Sequence, residues 1–139
     1  YFVKYNKDIN QVLQELRERE FKAGRYSPVT WLEFPLKENT PSPGPQHASI
    51  EEALESSAPD GTRSILDMMR IGNEPDCCVA VPADEELLEE IYGTTKPTRE
   101  MIESNMDIID DLNRGCGLYV VVYKEGKPSE IFFAGYSFD

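Results

Sequence analysis

Apolar positions along the chain follow two spacings. Residues 1–5, Tyr-Phe-Val-Lys-Tyr, are aromatic and β-branched and read as a first strand. From Ile9 the interval lengthens. Ile9, Val12, Leu13 and Leu16 recur at three and four, and Glu15, Arg17, Glu18, Arg19, Glu20 and Lys22 fill the other face. Asn6 or Asp8 offers an N-cap and Gly24 a stop, which predicts a helix over 8–22. Residues 26–34 carry Val29, Thr30, Trp31, Leu32 and Phe34 and read as a strand, confined by Pro28 to an edge or a late start. Residues 37–48, with Pro41, Pro43, Gly44 and Pro45, read as a Pro-rich surface loop within one domain.

Ser49-Ile50-Glu51-Glu52 is a capping box, so a short helix follows with Ile50, Ala53 and Leu54 inward. Ala58-Pro59-Asp60-Gly61 ends it in a turn. Residues 64–71 suit a strand or a short helix; the Asp-Gly turn before them and their brevity favour the strand. After the turn at 72–76, residues 77–81 read as a buried strand ending at Pro82. Asp84 caps a helix over 84–92, with Leu87, Leu88, Ile91 and Tyr92 on one face and Gly93 as its stop. A longer helix is predicted over 98–114 from the stripe Met101, Ile102, Met106, Ile109 and Leu112. Residues 118–123 are almost wholly apolar, as in a strand covered on both faces. A turn at 124–127 and a return strand at 131–134 complete a hairpin. The pattern implies one α+β domain over 1–139. It has a mixed or antiparallel sheet of about five strands, about four helices and a C-terminal β-hairpin.

Composition narrows the function classes. A chain of 139 residues that is 40% hydrophobic can bury an ordinary core without staples. Its net charge of −12 opposes phosphate contacts and anionic lipid surfaces, so neither nucleic acid nor membrane is expected as a partner. No apolar run approaches the ~20 residues of a membrane span, and the opening residues lack a signal-peptide pattern. Three cysteines, two of them adjacent, make a poor disulfide framework, because neighbouring cysteines rarely meet the required geometry. Cys77 and Cys78 are expected to be buried free thiols in a reducing, cytoplasmic setting.

The charge is uneven. Residues 1–40 hold seven basic and six acidic residues, whereas residues 83–111 hold ten acids against Lys96 and Arg99. At helical spacing those acids fall opposite the apolar stripes. Asp107, Asp110 and Asp111 would lie where the dipole of a helix over 98–114 opposes them. The first functional expectation is therefore a protein-binding module. It would dock a basic partner through Glu86, Glu89, Glu90, Glu103, Asp107 and Asp110 on the helices over 84–92 and 98–114. In size and charge the chain is similar to small acidic inhibitor and immunity proteins that neutralise basic enzymes, a likeness that covers no motif.

Signs of chemistry are sparse. His47 is the sole histidine, and adjacent Cys77 and Cys78 lack zinc-ligand spacing, so neither metal nor cofactor is expected. No Gly-x-Ser-x-Gly and no phosphate-binding glycine loop is present. Cys116 follows a helix end, where the dipole disfavours a thiolate. Asp67 stands out in the otherwise apolar stretch 65–69, either on the outer face of a strand or held by a partner such as Arg63 or Arg70. Arg17, Arg19, Lys22, Arg25, Tyr26 and Trp31 form the one basic, aromatic stretch. The alternative expectation is a small enzyme or ligand-binding domain with a site at Arg25, Tyr26, Trp31 and Asp67, and His47 in reach. It requires a concave pocket beside Asp67. A third expectation is an oligomerisation role, with Tyr119, Tyr123 or Phe133 in a dimer interface.

Overall fold

The computed structural model describes residues 1–31, 33, 34, 36 and 39–138. Among them are four α-helices and one five-stranded mixed sheet. The strands are β1 (Phe2–Lys4), β2 (Arg70–Ile71), β3 (Val79–Pro82), β4 (Gly117–Lys124) and β5 (Lys127–Gly135), in the spatial order β1-β5-β4-β3-β2. β4 and β5 form the C-terminal hairpin, antiparallel, and β1 joins β5 antiparallel with Phe2 opposite Phe132. β3 and β2 continue the sheet in parallel from β4. The hairpin turn is Glu125-Gly126 with φ of 53° and 77°, the positive pair a two-residue connection needs to match the strand twist.

The helices cover both faces of the sheet. On one face α1 (Ile9–Ala23) packs Val12, Leu13 and Leu16 against Ala80, Ile131 and Phe133, with Val3 and Tyr119 at the margin. On the other face α3 (Glu85–Tyr92) and α4 (Arg99–Ser104) set Leu88 and Ile102 against Leu118, Val120, Val122 and Phe132. Two-sided cover explains the unbroken apolar run of β4. A third cluster joins Phe21 and Tyr26 to Ala53 of α2 (Ile50–Ser57) and to Leu66. Burying one such leucine contributes roughly 1.5–3 kcal/mol, and Leu13, Leu66 and Tyr26 are fully enclosed.

The expected caps are in place. Asp8 accepts from the Gln11 amide and Gly24 closes α1 in the left-handed region. Ser49 accepts from Glu52 N, Asp84 from Glu86 N, and Gly93 ends α3 at φ 71°. No helix among the described residues is long and apolar enough to cross a membrane.

Four expectations differ from the structure. Residues 26–31 make turns, not a strand: Ser27 N–H bonds Thr62 O, Thr30 N–H bonds Tyr26 O, and Tyr26 is drawn fully into the third cluster. Leu32 of that expected strand, and Lys37 and Glu38 of the Pro-rich loop, lie outside the described residues. In the 64–71 stretch only Arg70–Ile71 is strand. Ile65–Asp67 is a 3₁₀ turn capped by Ser64, and Ile65 through Met68 are all buried, which alternating strand geometry does not permit beside a single core.

The stretch 77–81 becomes strand only from Val79. Asp76 Oδ1 accepts from Cys77 N, Val79 N–H bonds Asp76 O, and Cys78 takes φ 63°, so both cysteines sit in a turn outside the core. The helix over 98–114 stops at Ser104, and a separate 3₁₀ turn follows at Asp107–Ile109. Continuation would need the Asn105 carbonyl to accept from Ile109. Tyr92 Oη donates to that carbonyl instead, and Asn105 Oδ1 takes the Asp107 amide. The break turns Ile108 inward, and it frees Asp107, Asp110 and Asp111 from any opposing dipole at a helix C-terminus.

Candidate functional site

The acids of the first expectation all reach solvent. Glu86, Glu89 and Glu90 are exposed on α3, Glu103 on α4, and Asp107 and Asp110 on the turn beyond it. That turn packs against α3, so the carboxylates share one layer. Among them, within the described residues, only Glu103 is seen in an ion pair, with Arg99 at 2.6 Å. Arg99 also reaches Glu130 at 3.0 Å and stacks over Phe2, and both carboxylates hold its guanidinium charged.

The residues of the alternative site divide. Arg25 is bound to Glu20, with Nε to Oε2 at 2.6 Å, and Glu20 is fully buried and also takes Arg19. Arg17 lies inside, donating to Gln14 and to the Leu66 carbonyl, and its desolvation lowers its pKa. Tyr26 Oη meets His47 Nδ1 at 2.7 Å, and His47 Nε2 meets Ser56 Oγ at 3.0 Å. Ser56 Oγ also lies 3.1 Å from Ala53 O, and the trio ties α2 to the Pro-rich loop.

Trp31 and Asp67, in contrast, line one cleft. It holds about 560 Å³ and is lined by Trp31, Arg63, Asp67, Arg114, Tyr136 and Ser137, among others. Such a volume suits a small molecule. Asp67 is 3% exposed and forms part of the floor. Its Oδ1 accepts from the Thr62 amide and from Thr62 Oγ1, both at 2.8 Å, and its Oδ2 accepts from Ser137 Oγ at 2.6 Å. The partners are thus Thr62 and Ser137, not Arg63 or Arg70, and the residue is on no outer strand face. Arg70 instead lies 3.9 Å from Asp76.

Trp31 is 75% exposed. The Arg63 guanidinium stacks over its ring at 4.7 Å, and Arg114 lies 5.9 Å from the Tyr136 ring centroid. Arg63 holds φ 53°, a left-handed backbone that a residue with a Cβ rarely adopts and that concentrates at ligand sites. Among the described residues the cleft is lined by two arginines and one enclosed carboxylate. The lining also includes apolar Ile65, Met106, Ile109 and Phe133.

Arg114, Tyr136 and Ser137 are not marked by the sequence, and Arg63 entered only as a candidate partner of Asp67. Arg63 follows a Gly-Thr step in a turn, which hints at unusual backbone, but nothing local marks Ser137 or Tyr136. They arrive through the tail, where Tyr136 exchanges hydrogen bonds with Gly115 and Cys116. Of the residues named for a dimer interface, Phe133 is enclosed, whereas Tyr119, on the α1 core, and Tyr123, with Lys96 over its ring, are half-buried. Among the described residues no group of three or more His, Cys, Asp or Glu side chains is placed to hold a metal ion.

Comparison with protein-family models, with curated proteins and with solved structures finds no match to this chain.

Proposed function

We propose that this chain is a binding domain whose cleft takes a small ligand with a flat apolar body and an anionic group. One observation carries the reading: a cleft of about 560 Å³ beside Asp67 in which two arginines lie against aromatic rings. A guanidinium stacked on a ring is held in orientation by it, and the planar fork of arginine matches a carboxylate or phosphate. The apolar wall takes the ligand's body, and Asp67 acts indirectly, by locking the turn at 62–64 and the tail at 137 that frame the cleft. The proposed role is binding without bond chemistry.

Trp31 is the sole tryptophan and an intrinsic reporter. The test is a fluorescence titration with a panel of aromatic carboxylates and phosphates, with their neutral amides or alcohols as controls. The reading expects saturable quenching or a blue shift for the anions. Arg114→Ala should weaken it roughly ten- to hundredfold, the loss of one hydrogen-bonded charge contact of about 1.5–3 kcal/mol. Equal response to anions and neutral controls, or an unchanged affinity in both Arg63→Ala and Arg114→Ala, sinks the reading.

A second reading is favoured by the exposed acids on α3, α4 and the turn at Asp107–Ile109. Carboxylates on one layer, of which only Glu103 is seen in an ion pair among the described residues, suit a basic protein partner, as in an inhibitor, immunity or regulatory module. Its test is capture from lysate at low and high salt. Charge reversal at Glu89, Asp107 and Asp110 should abolish a salt-sensitive partner, and survival of that partner removes this surface from consideration.

A further inference from the structure

Cys77 and Cys78 lie away from the cleft, and nothing in the core requires them. They occupy the two central positions of the turn at 76–79, closed by Val79 N–H on Asp76 O. Cys77 is exposed and Cys78 half-buried. Cys78 holds φ 63°, a left-handed conformation that a residue with a Cβ rarely adopts. The backbone of Cys78 is held there from both sides, its N–H on Gly115 O at 2.8 Å and its carbonyl accepting from Met69 N at 2.7 Å. The conformation also brings both side chains out on the same side. Adjacent residues in a strand send side chains to opposite faces, yet here the two Sγ atoms stand 3.2 Å apart.

We propose that Cys77 and Cys78 form a vicinal dithiol that a low-molecular-weight disulfide oxidises to an intramolecular vicinal disulfide. In the first step Cys77 Sγ, as thiolate, attacks one sulfur of oxidised glutathione. A Cys77–glutathione disulfide forms and one glutathione thiolate leaves. In the second step Cys78 gives its proton to solvent and its sulfur attacks Cys77 Sγ. The bond between Cys77 and Cys78 forms and the second glutathione leaves. The protein loses two electrons and two protons, and one oxidised glutathione becomes two reduced ones.

The order of attack follows from environment. Cys77 is exposed and Cys78 half-buried, so Cys77 is the thiol that a disulfide in solution reaches first, while desolvation, first, and the adjoining Cys77 raise the pKa of the Cys78 thiol. Proximity then favours Cys78 as the resolving thiol. Closing from 3.2 Å to the ~2.05 Å of a disulfide bond requires a shift of only about an ångström. Neighbouring Cα atoms are ~3.8 Å apart, shorter than ordinary disulfides span, so the ring is strained and readily reduced. Such a bond is a labile modification, not a structural staple. Cys116 is the competitor. Its Sγ is 3.5 Å from Asp76 O, on the same side of the molecule.

The experiment incubates the protein with mixtures of oxidised and reduced glutathione, quenches in acid, alkylates free thiols and reads intact mass and peptides. The expected product is the protein less two hydrogens. Its disulfide lies within a single peptide containing 77 and 78, and Cys116 is fully alkylated. Cys116→Ser should oxidise as wild type does. Cys78→Ser should stop at the glutathione adduct on Cys77. A wild-type protein that accumulates the mixed disulfide without closing overturns the proposal, as does a linkage to Cys116 or a wild type that stays fully reduced in oxidised glutathione alone.

Discussion

Asp67→Ala removes a carboxylate that organises both walls of the cleft, and its cost can be worked from the contacts. Asp67 is 3% exposed and Thr62 is fully buried, so the Thr62 amide is left without its acceptor. A buried orphan donor costs about 1–3 kcal/mol. The Thr62 hydroxyl has a second neighbour, Ser64 Oγ at 2.7 Å, and can turn to it. Ser137 is half-buried and regains water, forfeiting about 1 kcal/mol. The sum is about 3 kcal/mol after relief of the buried charge, or roughly 10 °C in Tm for a domain of this size.

Asp67→Asn keeps an acceptor for both Thr62 donors, and its Nδ2 can donate to Ser137 Oγ, so it loses only the charge assistance of these bonds, about 1 kcal/mol. Urea unfolding followed by circular dichroism at neutral pH checks both values. A wild-type midpoint in Asp67→Ala would show that the carboxylate is not an enclosed anchor. Equal loss in Asn and Ala would show that its charge, not its hydrogen-bond geometry, is what the turn and tail require.

Three further outcomes follow from other contacts. Gly24→Ala, at φ 72°, would drive a Cβ into the Gly44 carbonyl oxygen, which is backbone and cannot swing away, whereas Gly93→Ala, at φ 71°, meets open space. Gly93→Ala should therefore lose only the left-handed cost of about 1–2 kcal/mol, and Gly24→Ala clearly more, read as urea midpoints; equal losses would refute the Gly24–Gly44 contact. Burial raises the phenol pKa values of Tyr26, Tyr92 and Tyr119, so the folded protein keeps protons that the unfolded chain sheds near pH 10. Their contribution is complete below about pH 10 and is lost as pH rises through the folded values; urea midpoints should fall across that range and Tyr92→Phe should shallow the fall, while a flat profile would contradict the burial. Lastly, ligand occupancy of the cleft should raise Tm in proportion to the logarithm of its concentration, and a ligand that quenches Trp31 without raising Tm would be touching the ring from outside.

What the sequence determined alone was everything set by neighbours along the chain. Asp8, Ser49 and Asp84 begin helices and Gly24 and Gly93 end them, because capping is settled within four residues. The unbroken apolar run of β4 and the Glu125-Gly126 turn announced the hairpin for the same reason. The acidity of the 83–111 stretch and its outward placement were also legible, since apolar residues at helical spacing leave the charges nowhere else to go. Tertiary structure decided the rest. A strand needs a partner edge, and residues 26–31 found a core cluster for Tyr26 instead. The helix after Thr98 ended when a hydroxyl from α3 took the Asn105 carbonyl, an event absent from the local periodicity. The cleft depends most on distance. Trp31, Arg63, Arg114 and Ser137 are spread over more than a hundred residues, and only folding of the tail against Asp67 brings them to one surface. Such a site has no spacing to read, because hydrogen bonds between segments remote in sequence, and not any period within one, hold it together.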